Sequence, residues 1–238
     1  MSVKLLFPLC VGMGLLLMNC EDKQTSKHKK EAPIVNDSSA SKNKTITKEV
    51  KEPEFPLLTD ANAMEFFLDY EKAHSENKVK ITTDFGVIEI QLYDKTKFHR
   101  ANFVYLTKRN YFDGTQFYRV VKNFVIQGGS SDDYNIAKRR QKIGHYLLPP
   151  DTKRGYTHKR GAVSMPSSEI ENAYKLASPF QFFIIQREGG AKYLDGDYTV
   201  FGEVTSGMDV IDAIANVKTD EGDWPLSNVY IRKVELID

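Results

Sequence analysis

Cysteine is nearly absent. The chain of 238 residues has two, Cys10 and Cys20, and both lie within the first twenty positions. Everything after them is therefore without a disulfide or a thiolate metal site. A cysteine-free body suits oxidising surroundings outside the cytoplasm. An excess of one charge is lacking too: Lys+Arg number 33 and Asp+Glu 32, a net charge of +1, which gives no reason to expect nucleic acid as a partner. The histidines (His28, His74, His99, His145 and His158) show no ligand spacing, so no metal and no other cofactor is expected. Asp195-Gly196-Asp197 is a turn, too short for a calcium loop. No apolar run reaches the about 20 residues of a membrane-spanning helix, and no internal repeat is visible. A hydrophobic share of 41% is enough for one packed core.

What is present starts with a leader. Lys4 supplies a positive charge, and Leu5 to Met18 is uncharged and mostly apolar, the form of a signal-peptide core. The run ends in Leu17-Met18-Asn19-Cys20, which resembles the lipobox of bacterial lipoproteins, with Asn19 where a small residue is usual. The resemblance implies that residues 1–19 are a signal peptide and that Cys20 is acylated. Its two or three acyl chains would be sufficient for a stable anchor. The expected location is the bacterial cell envelope, periplasmic or surface-facing; a plain secretory signal with an incidental cysteine is the alternative. Residues 20–54 then form the lipidated cysteine and its tether, rich in Lys, Ser, Thr and Glu and without an aromatic residue. Such a segment cannot bury enough surface to offset its ordering entropy. At about 5–6 Å × √n it reaches on the order of 30 Å.

Order is expected from Phe55. Thr59-Asp60 reads as a helix N-cap, followed by Ala63, Met64, Phe66, Phe67 and Tyr70 at helical spacing, so residues 55–77 form an N-terminal helical extension. From Lys78 the period changes to two: Val79 and Ile81, the turn Asp84-Phe85-Gly86, then Ile88, Ile90 and Leu92 predict a β-hairpin. A helix is predicted over 97–110 and another around Met208, Ile211, Ile214 and Ala215. Strands are predicted at 116–121, 124–127, 161–165, 181–186, 199–204 and 228–236. Many strands with two helices suggest a mainly β fold, a closed antiparallel barrel capped by the helices.

Two strands carry an unusual pairing. In Gln181-Phe182-Phe183-Ile184, alternation puts Gln181 and Phe183 on one face; in Phe124-Val125-Ile126-Gln127 it puts Val125 with Gln127. A core face disfavours an unpaired amide, and a solvent face disfavours a phenyl ring. A groove for a ligand that is half apolar and half amide accepts both, and a proline-containing peptide has that character.

The segment Tyr111 to Gly129 contains Phe117-Tyr118-Arg119 and then Gln127-Gly128-Gly129, which resembles the cyclophilin signature of F-x-R followed by Q-G-G. Gln181-Phe182-Phe183-Ile184 is similar to the family's second motif. Tyr193-Leu194-Asp195-Gly196 with Val200-Phe201-Gly202-Glu203-Val204 is similar to its third. Three motifs in the family order cover residues 78–238 and imply an eight-stranded cyclophilin-like barrel with peptidyl-prolyl cis-trans isomerase activity. By the same resemblance Arg119, Gln127 and Gln181 are the catalytic positions, with Gln181 holding substrate backbone. Phe124, Val125, Phe183, Leu194, Tyr198 and Tyr193 form the substrate-binding walls. The partners implied are proline-containing polypeptides, and the state implied is a monomer. The chain departs from the pattern at Pro179-Phe180, at Pro166-Ser167, and at Val125, Tyr193 and Tyr198. Two other readings stand beside this one. One is a cyclophilin-like peptide-binding or chaperone module with little catalysis, in which Pro179-Phe180 or the loop after Ser168 narrows the groove. The other is an unrelated barrel that carries a ligand in an enclosed cavity.

Overall fold

The computed structural model describes residues 55–167 and 172–238. The leader, Cys20 and the tether lie outside the described residues. In chain order the elements are β1 (Leu58–Thr59), α1 (Ala63–Ala73), β2 (Lys78–Thr83), β3 (Gly86–Leu92), α2 (Lys97–Lys108), β4 (Gln116–Val121), β5 (Val125–Ser130), α3 (Tyr134–Ile143), β6 (Gly144–His145), β7 (Ala162–Met165), β8 (Phe182–Ile185), β9 (Thr199–Ser206), α4 (Met208–Ala215) and β10 (Ile231–Ile237). Eight strands form one antiparallel sheet in the order β10-β2-β3-β9-β7-β8-β5-β4.

That sheet is a curled half-barrel and not the closed barrel expected from the sequence. Its edge strands β4 and β10 meet only at one end, through the bridge Gln116–Tyr230 and the bonds Ile231 N–H to Thr115 O (2.8 Å) and Phe117 N–H to Val229 O (2.9 Å). Beyond Phe117 the two part. A register shift between Phe117 and Arg119 sets two residues of β4 against one of β5, a bulge that bends the strand. Val120 N–H then bonds Asp223 O (2.8 Å), so a loop takes the place of the eighth neighbour.

The hairpin β2–β3 forms where alternation predicts it. Val79, Ile81, Ile88, Ile90 and Leu92 are buried on one face, and Thr83 Oγ1 closes the turn by accepting Phe85 N–H and donating to Gly86 O. Helix α2 is buried on all sides from His99 to Thr107 because the sheet covers one flank and α1 the other. Its polar residues are consequently held inside: Asn102 donates to Pro179 O (2.8 Å) and accepts from Tyr146 Oη (2.7 Å), and Arg100 pairs with Glu71 of α1 (2.9 Å).

Three local features differ from the sequence reading. Helix α1 starts at Ala63, because Asn62 Oδ1 accepts Thr59 N–H and turns the chain first; Asp60 instead accepts Leu147 N–H (2.8 Å). Strand β5 runs through Gly128 and Gly129 to Ser130, where side chains would collide with Phe117 and with the Phe180 carbonyl. Helix α3 has no counterpart in the sequence pattern. Only Ile136 and Ile143 of its residues are buried, too few for a clear period, and its start is fixed by Asp133 accepting Asn135 N–H (2.6 Å).

Candidate active site

Strand alternation builds the site on the face of the sheet away from the main core. Ile126, Val163, Phe182, Ile184 and Phe201 point into the large core, while their neighbours Val125, Ala162, Phe183, Ile185 and Val200 form a second apolar cluster. Phe124, Leu194 and Tyr198 pack against this second cluster from the loops. Together they open a cavity of about 140 Å³ lined by Arg119, Phe124, Val125, Gln127, Pro166, Phe183, Leu194 and Tyr198. Phe183 and Val125 are buried, and Tyr198 meets Phe183 edge-on at 5.9 Å. Tyr193 is not in the lining. It is exposed and stacks on Phe124, 6.0 Å between ring centres.

The polar side is organised by the bulge in β4. Phe117 and Val120 both enter the core, three positions apart, so Tyr118 and Arg119 both leave it. Tyr118 donates its hydroxyl to Gln181 Oε1 (3.0 Å) and accepts the side-chain amide of Gln127. The two glutamines, one on β5 and the other just ahead of β8, thus share one tyrosine. Gln181 reaches the cavity through this chain and is not in its lining. Arg119 is about a third exposed at the rim, and its Nη2 lies 3.2 Å from Asp223 Oδ2.

A relay from the exposed Asp195 to the buried His158 and Ser164 supports the floor. The His158 ring lies parallel to Phe183, 5.9 Å between centres, with Nδ1 at 2.6 Å from Asp195 Oδ1 and Nε2 at 3.1 Å from Ser164 Oγ. Burial lowers the pKa of His158 and the Asp195 carboxylate opposes this. Asp195 also accepts His158 N–H (2.8 Å), which ties the turn carrying Tyr193 and Leu194 to the loop ahead of β7. Ser164 is fully buried and outside the cavity lining, so this Ser–His–Asp set has no substrate to attack.

Sequence reasoning did not single out Tyr118, Asp223, His158 or Ser164. The spacing Phe117-x-x-Val120, three instead of two, is the signal that could have found Tyr118. Asp223 comes from a loop remote in sequence and carries no such signal. Phe180, expected as a possible obstruction of the groove, is buried against Tyr111 (4.9 Å) and Tyr146 (5.6 Å) and lines no part of the cavity.

The family model described as Cyclophilin type peptidyl-prolyl cis-trans isomerase/CLD matches residues 78–236. The chain belongs to the cyclophilin family. Among the relatives of this cyclophilin, the peptidyl-prolyl cis-trans isomerase of Acinetobacter baylyi is 34% identical over 151 residues, which cover 62% of this chain and 76% of that protein. The peptidyl-prolyl cis-trans isomerase-like 2 of Rhizopus delemar is 32% identical over 169 residues, 70% of this chain; the matched part is 30% of that relative's length. A crystal structure of a cyclophilin type peptidyl-prolyl cis-trans isomerase from Cryptosporidium parvum superposes with a TM-score of 0.57 at 23% identity, over 68% of this chain and 98% of that one. The cyclophilin domain therefore accounts for the half-barrel sheet, and the segment ahead of residue 78 lies outside the family match.

Proposed function

We propose that this cyclophilin accelerates cis–trans isomerisation of Xaa–Pro bonds in polypeptides, with Arg119 as the catalytic residue. The observation that carries this reading is a guanidinium at the rim of a small apolar cavity whose floor is Phe183 and Val125, beside two glutamine amides. An amide resists twisting because its nitrogen lone pair is delocalised, a barrier of about 18–20 kcal/mol. At roughly 90° of twist the lone pair returns to nitrogen, which then accepts a hydrogen bond. A cation placed there binds the twisted state better than the planar one, and that difference is catalysis. The apolar walls hold the proline ring still while Gln127 and Gln181 hold backbone, so the flanking carbonyl swings against a fixed ring. The step needs no nucleophile and no redox partner.

The reading is tested by two-dimensional NMR exchange on a short Xaa-Pro peptide with the full chain in detergent. Cross-peaks between cis and trans forms should appear on a timescale of seconds or less, where the uncatalysed exchange takes tens to hundreds of seconds. A folded protein that binds the peptide without new cross-peaks would leave a binding module in place of an enzyme.

The leader supports an envelope setting, with Cys20 lipidated and clients that fold after export, where slow X–Pro isomerisation limits folding. Cys20→Ser should move the protein from the membrane fraction to the soluble fraction of cells and abolish incorporation of labelled fatty acid. Unchanged sedimentation with the membrane would refute the lipid anchor.

A further inference from the structure

The loop from Asp220 to Trp224 is tightly determined. Asp220 Oδ1 accepts Gly222 N–H (2.8 Å) and Trp224 N–H (2.9 Å), Asp220 N–H bonds Trp224 O (2.9 Å), and Thr219 bridges Pro225. Inside it Asp223 has φ of 65°, in the left-handed region that side chains avoid. The same residue offers its carbonyl to Val120 N–H and its carboxylate to Arg119 Nη2. Backbone and side chain of Asp223 therefore both clamp β4, at the place where the bulge has separated that strand from β10.

Stability does not account for the carboxylate. Both partners are more than a third exposed, and an ion pair of that kind returns little, less than the left-handed backbone costs. Glycine would satisfy the conformation without strain and would still offer the carbonyl to Val120. What the carboxylate does supply is a fixed direction for a long, flexible side chain at the mouth of the cavity. Arginine has five N–H donors, so a partner on Nη2 leaves others for a substrate.

We infer that Asp223 is a positioning residue for Arg119: it holds the guanidinium in its working orientation before the substrate arrives. This rests on the proposed isomerase reading. An arginine already ordered in the free protein loses less freedom when the twisted amide forms, so the benefit falls on kcat. Asp223→Gly deletes the carboxylate and relieves the backbone, which separates positioning from structure.

The full chain should be compared with Asp223→Gly, Asp223→Asn, Arg119→Ala and the Asp223→Gly/Arg119→Ala double variant by NMR exchange over a range of peptide concentrations, with melting curves. Asp223→Gly should lower kcat roughly tenfold, about what freeing one long side chain costs, with KM within twofold and the melting temperature equal or higher. Asp223→Asn, which keeps an acceptor, should recover most of the loss. In the Arg119→Ala background the glycine should change nothing, because residues acting as a unit are non-additive. Additive losses, or a lowered melting temperature with KM and kcat falling together, would make Asp223 merely structural and overturn the inference. A faster Asp223→Gly enzyme would overturn it in the opposite sense, by showing that the pair restrains Arg119 from the substrate. An active wild type with a crippled Arg119→Ala and an unaffected Asp223→Gly sinks the inference alone. An inert wild type sinks the isomerase reading with it.

Discussion

Arg119→Ala slows Xaa–Pro exchange by roughly 10- to 150-fold and leaves the protein folded. The lower and upper figures correspond to losing one charge-assisted hydrogen bond of about 1.5–3 kcal/mol from the transition state. The fold should survive because Arg119 lies on an edge strand, points away from the core, and has Asp223 as its ion-pair partner at the surface. The flanking residues Phe117 and Val120, which do anchor β4, are untouched. Arg119→Lys is the informative companion: it keeps the charge and loses the planar fork, so it should recover only part of the rate. The measurement is exchange spectroscopy on a short peptide at equal folded concentration, with circular dichroism as the check on folding. A variant with wild-type rate would remove the cation from the mechanism and leave the apolar grip as the source of catalysis.

The second large effect concerns pH. His99 is fully buried in α2 beside Phe201, and neither of its ring nitrogens has a hydrogen-bond partner among the described residues. Burial lowers its pKa from 6.5 to about 4, against a weaker pull upward from Asp151. A base with a depressed pKa folds in its neutral form, so its contribution is intact above 6.5. As pH falls below 6.5 the unfolded chain takes up a proton that the folded one refuses. The penalty then grows down to the folded pKa near 4 and levels off. At pH 4.5 it amounts to roughly 2–3 kcal/mol, at about 1.4 kcal/mol per pH unit below 6.5. His158 is shifted in the same direction and adds to the slope. The depressed carboxylates of Glu76 and Asp212 lose their ion pairs only at lower pH. Urea unfolding at pH 7.5 and 4.5 should show the loss, and His99→Leu should flatten most of it. A curve of equal slope in that variant would assign the effect elsewhere.

Legibility in the sequence follows the physics of each element. Regular alternation is readable, and it alone places Val125 with Gln127, and Gln181 with Phe183, on common faces. The hairpin at Asp84-Phe85-Gly86 was readable for the same reason. The bulge at Tyr118–Arg119 breaks the period, and with it went both the tyrosine that joins the glutamines and the closure of the sheet. A strand that turns away from its eighth neighbour leaves no mark in hydropathy. Asp223 and the His158 relay depend on loops folding back over long sequence separations, which no local pattern encodes. Helix α3 escaped because it presents only Ile136 and Ile143 to the core. The Asn62 cap was displaced from Thr59-Asp60 because the aspartate was already committed to Leu147.

The ring cluster ahead of the domain also has a mechanical meaning. Phe55 sits edge-on to Phe66 (6.1 Å), Tyr70 (6.3 Å) and Tyr105 (5.3 Å), and Arg109 lies over its face at 5.4 Å. Traction on the chain before residue 55 would enter through this clamp and pass into α2, whose rings belong to the large core and not to the cluster under the cavity. A pull on the chain would therefore reach this clamp before it reached Phe183 and the cluster under the cavity.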